Sequence, residues 1–96
     1  EVVSLVCMGN AGVAPAAEDE LCAEYIKSIL EGNEMPDIDS RAAGLRYTGG
    51  GHFFDKERQE IYPEEDFWLC VKCNRFPFVI QIEKDELGFV TRRKNL

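Results

Sequence analysis

An apolar run at Val2, Val3, Leu5 and Val6 empties into a loop holding Gly9 and Gly12, and the loop feeds a segment with helical periodicity. This succession predicts a strand from Val2 to Val6 followed by a long helix from about Ala17 to Glu31. Leu21, Cys22, Tyr25, Ile26, Ile29 and Leu30 fall on one stripe of that helix, and Gly32 supplies its stop. At about 100° per residue, Glu18 projects onto the middle of the stripe, Asp19 onto its edge and Glu20 away from it. Acids gather in a first helical turn because its free N–H groups and dipole favour them, which accounts for Glu20. A charge centred on an apolar face is different, since it costs free energy unless a cation, a metal or a hydrogen bond meets it. Glu18 and Asp19 are therefore the candidate metal-binding or acid/base pair, expected at the mouth of a cleft beside the Asn10 to Gly12 loop.

The 96 residues are expected to form a single domain, residues 1–96, and 45% hydrophobic with 30% charged content describes an ordinary globular chain. A net charge of −7 argues against nucleic acid or an anionic membrane as partner and suits divalent cations. No apolar run reaches the roughly 18 residues of a membrane span and no signal peptide is visible, so the expected location is cytoplasmic. The chain opens on a core strand without an initiator Met. A homo-oligomer or a missing N-terminal segment is expected to cover the exposed sheet edge.

Beyond Gly32 the sequence alternates punctuation and structure. Asn33 to Ser40 reads as a polar loop with Pro36, Arg41 to Tyr47 as a short helix-compatible stretch, and Gly49 to Gly51 as a break. His52 to Ile61 carries a weak helical pattern. Pro63 and the acids after it start a helix buried on most sides around Glu65 to Cys73. Phe78 to Ile82 is a strand, Asp85 to Gly88 a turn and Phe89 to Thr91 a return strand, with Arg92, Arg93 and Lys94 as a solvated tail. The predicted class is α/β, with helices packed on a small mixed sheet.

The four cysteines are expected to be reduced, packed thiols. Cys70-Val-Lys-Cys73 has the C-x-x-C form of redox and zinc centres, yet a structural zinc needs a second pair at recognisable spacing and the sequence has none. His52, the only histidine, follows three glycines that let backbone approach a ligand closely, so it is a candidate substrate contact. Thr48 and the amides of Gly49 to Gly51 could form an anion nest, and Arg41 and Arg46 are the cations best suited to an anionic substrate. No Ser or Cys sits in a nucleophile motif. Hydrolysis built from these parts would use a metal and carboxylates.

With its strand, Gly9-x-x-Gly12 loop, Glu18-Asp19-x-x-Cys22 helix and the Ala23-x-Tyr25-Ile26 that follows, the chain resembles the 2-phosphosulfolactate phosphatase family. Gly49-Gly50-Gly51-His52, Asp66-Phe67 with Cys70, and Phe76 to Ile80 extend the resemblance through the second half, with departures at Pro77 and in a shorter link between Ser40 and Gly49. The resemblance is to the C-terminal portion of a longer enzyme and implies part of a three-layer α/β/α architecture. It also implies a Mg²⁺-dependent hydrolase that converts 2-phospho-3-sulfolactate, a small phosphate ester, to 3-sulfolactate and phosphate in coenzyme M biosynthesis. Glu18 and Asp19 are then the catalytic and metal residues, and Asn10, Gly12, Arg41 and His52 the substrate contacts. The alternative is a non-catalytic anion- or metabolite-binding α/β module, with the loop and helix N-terminus holding an anion through backbone amides.

Overall fold

The computed structural model describes all residues from Glu1 to Leu96. Its longest element is α1, Ala17–Leu30, within one residue of the stretch the apolar stripe predicts. Gly32 ends it as expected: at φ 73° it lets Asn33 N–H reach the Ser28 carbonyl at 2.8 Å while its own N–H reaches Ile29 at 3.1 Å, a Schellman cap. A short α2, Ile38–Ala43, runs into a 3₁₀ turn at Gly44–Tyr47, and a second 3₁₀ turn follows at Gly51–Phe54. Helix α3, Glu64–Cys70, starts directly after Pro63 with three acids in its first turn. Strands β1, Phe78–Asp85, and β2, Gly88–Asn95, close the chain as an antiparallel hairpin.

Helices with a two-stranded sheet make the protein α/β, as expected, but the sheet is a single antiparallel pair rather than a mixed one. The predicted strand at Val2 to Val6 is not formed. Those residues have no ladder partner, since the one sheet of the molecule is the β1–β2 pair. His52 to Ile61 is likewise not a helix; it is the Gly51–Phe54 turn followed by bends. The proposed solvated tail is corrected too. Arg92 and Lys94 belong to β2 and both reach Glu83 across the hairpin, at 3.0 and 2.8 Å.

The core is a small helical body around Phe67, which is 3% exposed and is joined in burial by Ala16, Leu21 and Ala42. Phe67 meets Phe54 and Trp68 edge-on, each with ring centroids 5.0 Å away, and Phe53 at 6.2 Å. Burying one such ring stabilises by about 1.5–3 kcal/mol. Gly50, in the middle of the glycine triplet, is required by this packing. A Cβ at Gly50 would lie 2.5 Å from the Phe67 ring and 3.1 Å from the Leu45 carbonyl oxygen, so the backbone passes where no side chain fits. The amides of Thr48, Gly50 and Gly51 are consumed by the Leu45 and Thr48 carbonyls, which leaves no nest of the expected kind.

The expected buried helix around Glu65 to Cys73 is shorter and less enclosed, with Phe67 its one buried residue. The hairpin is amphipathic. One face carries Glu83, Asp85, Arg92 and Lys94, and the other carries Phe78, Ile80, Ile82 and Phe89. Asp85 sets the two-residue connection by accepting the Leu87 N–H at 2.8 Å, and Gly88 takes φ 119°.

Two measurements check this account. Gly50→Val should destabilise the helical body by about 1–3 kcal/mol, read as a lower urea midpoint of the helical circular dichroism signal. Hydrogen bonds and charge from Lys94, then Arg92, hold the Glu83 carboxyl below its ordinary value. A depressed folded pKa stabilises above the unfolded value, and the contribution is lost as pH falls through the folded value. An NMR titration should therefore place Glu83 below a glutamate in an unstructured peptide, with the hairpin loosening only on the acid side of that range.

Candidate functional site

A cavity of about 270 Å³ lies between α1, α2, α3 and the two 3₁₀ turns. Its walls are apolar, from Leu21, Ile38, Leu45, Phe53 and Phe67, and its polar groups are few. Glu18 and His52 line it from opposite strands of the sequence, and both are exposed at its rim. The helical spacing that places Glu18 on the stripe also brings Cys22 and Tyr25 to the same wall. The carboxylate of Glu18 rests against Gly49, where a Cβ would lie 2.8 Å from Oε2. Glycine at 49 thus leaves room for the acid. His52 is held by aromatic contacts, with ring centroids 4.3 Å from Phe53 and 4.6 Å from Tyr62.

Asp19 faces elsewhere. Its Oδ2 accepts the Gly9 N–H at 2.7 Å, and it lines a second hollow with Leu5, Val6, Met8 and Ile26. Glu18 and Asp19, adjacent in sequence, therefore open onto different hollows. The loop before them folds on itself. Asn10 N–H donates to the Ala14 carbonyl at 2.7 Å, Val13 and Ala14 donate back to Asn10, and the Asn10 side-chain amide turns to Pro15. Ala11 at φ 52° and Gly12 at φ 72° occupy left-handed backbone, and their amides bond no other group of the chain. Gly9 is fixed by both its φ of 75° and the Ala14 carbonyl lying where a Cβ would go.

Arg41 is committed to Glu24 in a bidentate pair, at 3.1 and 2.8 Å. The Arg41 hydrogen bond holds Glu24 below the usual carboxylate range, and Glu24 in turn holds the guanidinium proton more tightly. Arg41 borders a separate surface hollow with Glu20 and Thr48, away from the cavity of Glu18 and His52. Arg46 stacks on Tyr47, with its Cζ 4.6 Å from the ring centroid.

The residues that sequence reasoning undervalued are the thiols. All four cysteines are free, as expected, but Cys7, Cys22 and Cys70 are exposed rather than packed, and Cys22, Cys70 and Cys73 line the cavity of Glu18 and His52. The three-residue spacing of Cys70 and Cys73 was the available signal. No three His, Cys, Asp or Glu side chains are grouped to hold a metal ion. Burial, then the nearby charges of Asp39 and Cys22, push the Cys73 thiol up. Alkylation by iodoacetamide at neutral pH should accordingly be slowest at Cys73, followed by peptide mass spectrometry; equal rates at Cys73 and Cys22 would contradict its environment.

No family model matches the chain, and no solved structure matches it. Among curated proteins it is similar to the "Probable 2-phosphosulfolactate phosphatase" of Bacillus subtilis (strain 168), 35% identical over 75 residues. That match takes in 74% of this chain and 32% of the relative, so the chain spans about a third of the relative's length. The resemblance read from the Gly9 to Ile26 succession is thus a sequence similarity to a protein of the 2-phosphosulfolactate phosphatase family, extending over most of this chain.

Proposed function

We propose that this chain forms part of a cytoplasmic phosphoric monoester hydrolase acting on a small anionic phosphate ester, with 2-phospho-3-sulfolactate as substrate and 3-sulfolactate and phosphate as products, a step of coenzyme M biosynthesis. The observation that carries the reading is the pairing of Glu18 and His52 on the rim of one apolar cavity, within a chain similar to a protein named for that activity. A rim carboxylate and a rim imidazole are the two groups that hydrolysis of a phosphate ester needs from a protein at neutral pH. Water adds to phosphorus and the ester P–O bond breaks. Glu18 takes the proton lost by the water, and His52 supplies one to the departing alcohol oxygen.

The Mg²⁺ that the resemblance implies would polarise the phosphoryl group, and Glu18 would be the one carboxylate of the cavity to hold it, since Asp19 opens onto another hollow. Asp19 gives that site its footing, since its bond to the Gly9 amide ties the loop to the first turn of α1. The amides of Ala11 and Gly12 are free to meet an anionic group, but neither residue lines the cavity of Glu18 and His52. Arg41 contributes to substrate only by leaving Glu24.

The test is phosphate release from 2-phosphosulfolactate with Mg²⁺ by the complete protein that carries this sequence. Glu18→Gln should lower turnover on the order of 10²-fold, and His52→Gln by a smaller factor, with the fold unchanged. Turnover of Glu18→Gln within a factor of two of the parent would remove Glu18 from the chemistry. Tight anion binding without phosphate release would turn the reading to the non-catalytic module.

A further inference from the structure

Three of the four thiols share one place in the fold, and the hydrolytic reading uses none of them. Cys22 on α1, Cys70 at the end of α3 and Cys73 just beyond it all line the cavity of Glu18 and His52. The C-x-x-C spacing pairs Cys73 with Cys70 in the sequence, but the fold brings it another partner. Asn74 donates its side-chain amide to the Tyr25 hydroxyl at 3.0 Å, a bond between residues 49 apart. Cys73 adjoins that bond on one side. On the other side, Cys22 stands one helical turn before Tyr25, on the same face of α1. Asn74 takes a left-handed φ of 54°, which turns the chain directly after Cys73. The charges that act on the Cys73 thiol come from Asp39 and Cys22, so the thiol of α1 is its electrostatic neighbour.

We propose that Cys22 and Cys73 are a peroxide-reactive thiol pair that closes to a disulfide across the cavity wall. Exposure assigns the roles. Cys22 is exposed and meets the oxidant, whereas Cys73 is half-buried and resolves the product. The Cys22 sulfur attacks one oxygen of a hydroperoxide and the O–O bond breaks. The other oxygen leaves with the thiol proton, as an alcohol or, from hydrogen peroxide, as water, and Cys22 becomes a sulfenic acid. The Cys73 sulfur then attacks the Cys22 sulfur, the S–O bond breaks, and the hydroxyl leaves as water with the Cys73 proton while the S–S bond forms. Two thiols together lose two electrons, and one hydroperoxide gains them.

The link joins α1 to the segment after α3, two elements of one cavity wall. Glu18 precedes Cys22 by about one turn on the same face of α1, so closing the pair fixes the width of the cavity beside that carboxylate. In a reducing compartment such a bond is a transient sensing device rather than a structural staple. The inference rests on where the thiols lie and not on the proposed hydrolysis, so its readouts need no turnover.

The test is oxidation of the complete protein that carries this sequence with a stoichiometric amount of hydrogen peroxide, followed by N-ethylmaleimide and non-reducing peptide mass spectrometry. Trypsin at Lys72 parts Cys70 from Cys73, and glutamyl endopeptidase at Glu18 and Glu20 parts Cys7 from Cys22. The expected product is a linked pair of peptides holding Cys22 and Cys73, separated by dithiothreitol, with Cys70 recovered alkylated. Cys70→Ser should leave the yield of the link unchanged, whereas Cys73→Ser should abolish it and leave Cys22 as a sulfenic acid that dimedone traps. In concentrated urea the yield should fall at least about tenfold, because an unfolded chain closes the short Cys70 to Cys73 loop more readily than the long one. A link of Cys73 to any thiol other than Cys22 in the native protein would overturn the proposal. So would equal yields in native and unfolded protein, and so would Cys22 recovered as a free thiol or carried on to a sulfinic acid once the peroxide is consumed.

Discussion

The close approach of the Phe67 ring to the backbone at Gly50 holds this molecule together. Phe67 is the most deeply buried side chain, and the turn that receives it can do so only because residue 50 is glycine. Once the ring is seated, α3 is fixed against the Gly51–Phe54 turn, Phe53 and His52 are carried to the cavity wall, and Gly49 is placed where the Glu18 carboxylate can lie. One aromatic contact thereby sets the distance between the acid on α1 and the imidazole in the turn. The geometry of the candidate site is a by-product of core packing.

The elements legible in the sequence were those whose information is local. The stripe of α1 and its glycine stop, the proline before α3 and the β-rich Phe78 to Ile82 run each specify their structure within a few residues. Val2 to Val6 has equally strong local preference, but a strand needs a neighbour, and that information lies outside any window of sequence. The Arg92 to Lys94 stretch misled for a related reason. Charge suggested solvation, whereas Glu83 sits opposite it in register and draws it into the ladder.

The candidate site was legible in part. Helical spacing correctly set Glu18 apart from Glu20, and it brought Glu18, Cys22 and Tyr25 to one wall. It could not separate Glu18 from Asp19, because one step of about 100° decides which hollow each faces and the Gly9 amide that captures Asp19 is visible only in three dimensions. The engagement of Arg41 with Glu24 was similarly hidden, since the partners stand 17 residues apart on different helices. The glycine triplet was noticed for its cost and assigned to a ligand, when Gly50 accommodates the Phe67 ring and Gly49 the Glu18 carboxylate.

The hairpin has a consequence in time. All its pairings lie within the 18 residues from Phe78 to Asn95, and a two-residue connection brings its strands together. Loops this short close quickly, so a ribbon of this kind assembles in about 1–10 μs, without waiting for the helices to find one another. The helical body must instead join Phe67 to residues far earlier in the chain, which makes it the slower event. During that interval the ribbon presents Phe78, Ile80, Ile82 and Phe89 on one side while Glu83, Arg92 and Lys94 keep the other hydrated. A nascent chain of this sequence thus carries its own solubilising face at the moment when most of its apolar surface is still uncovered.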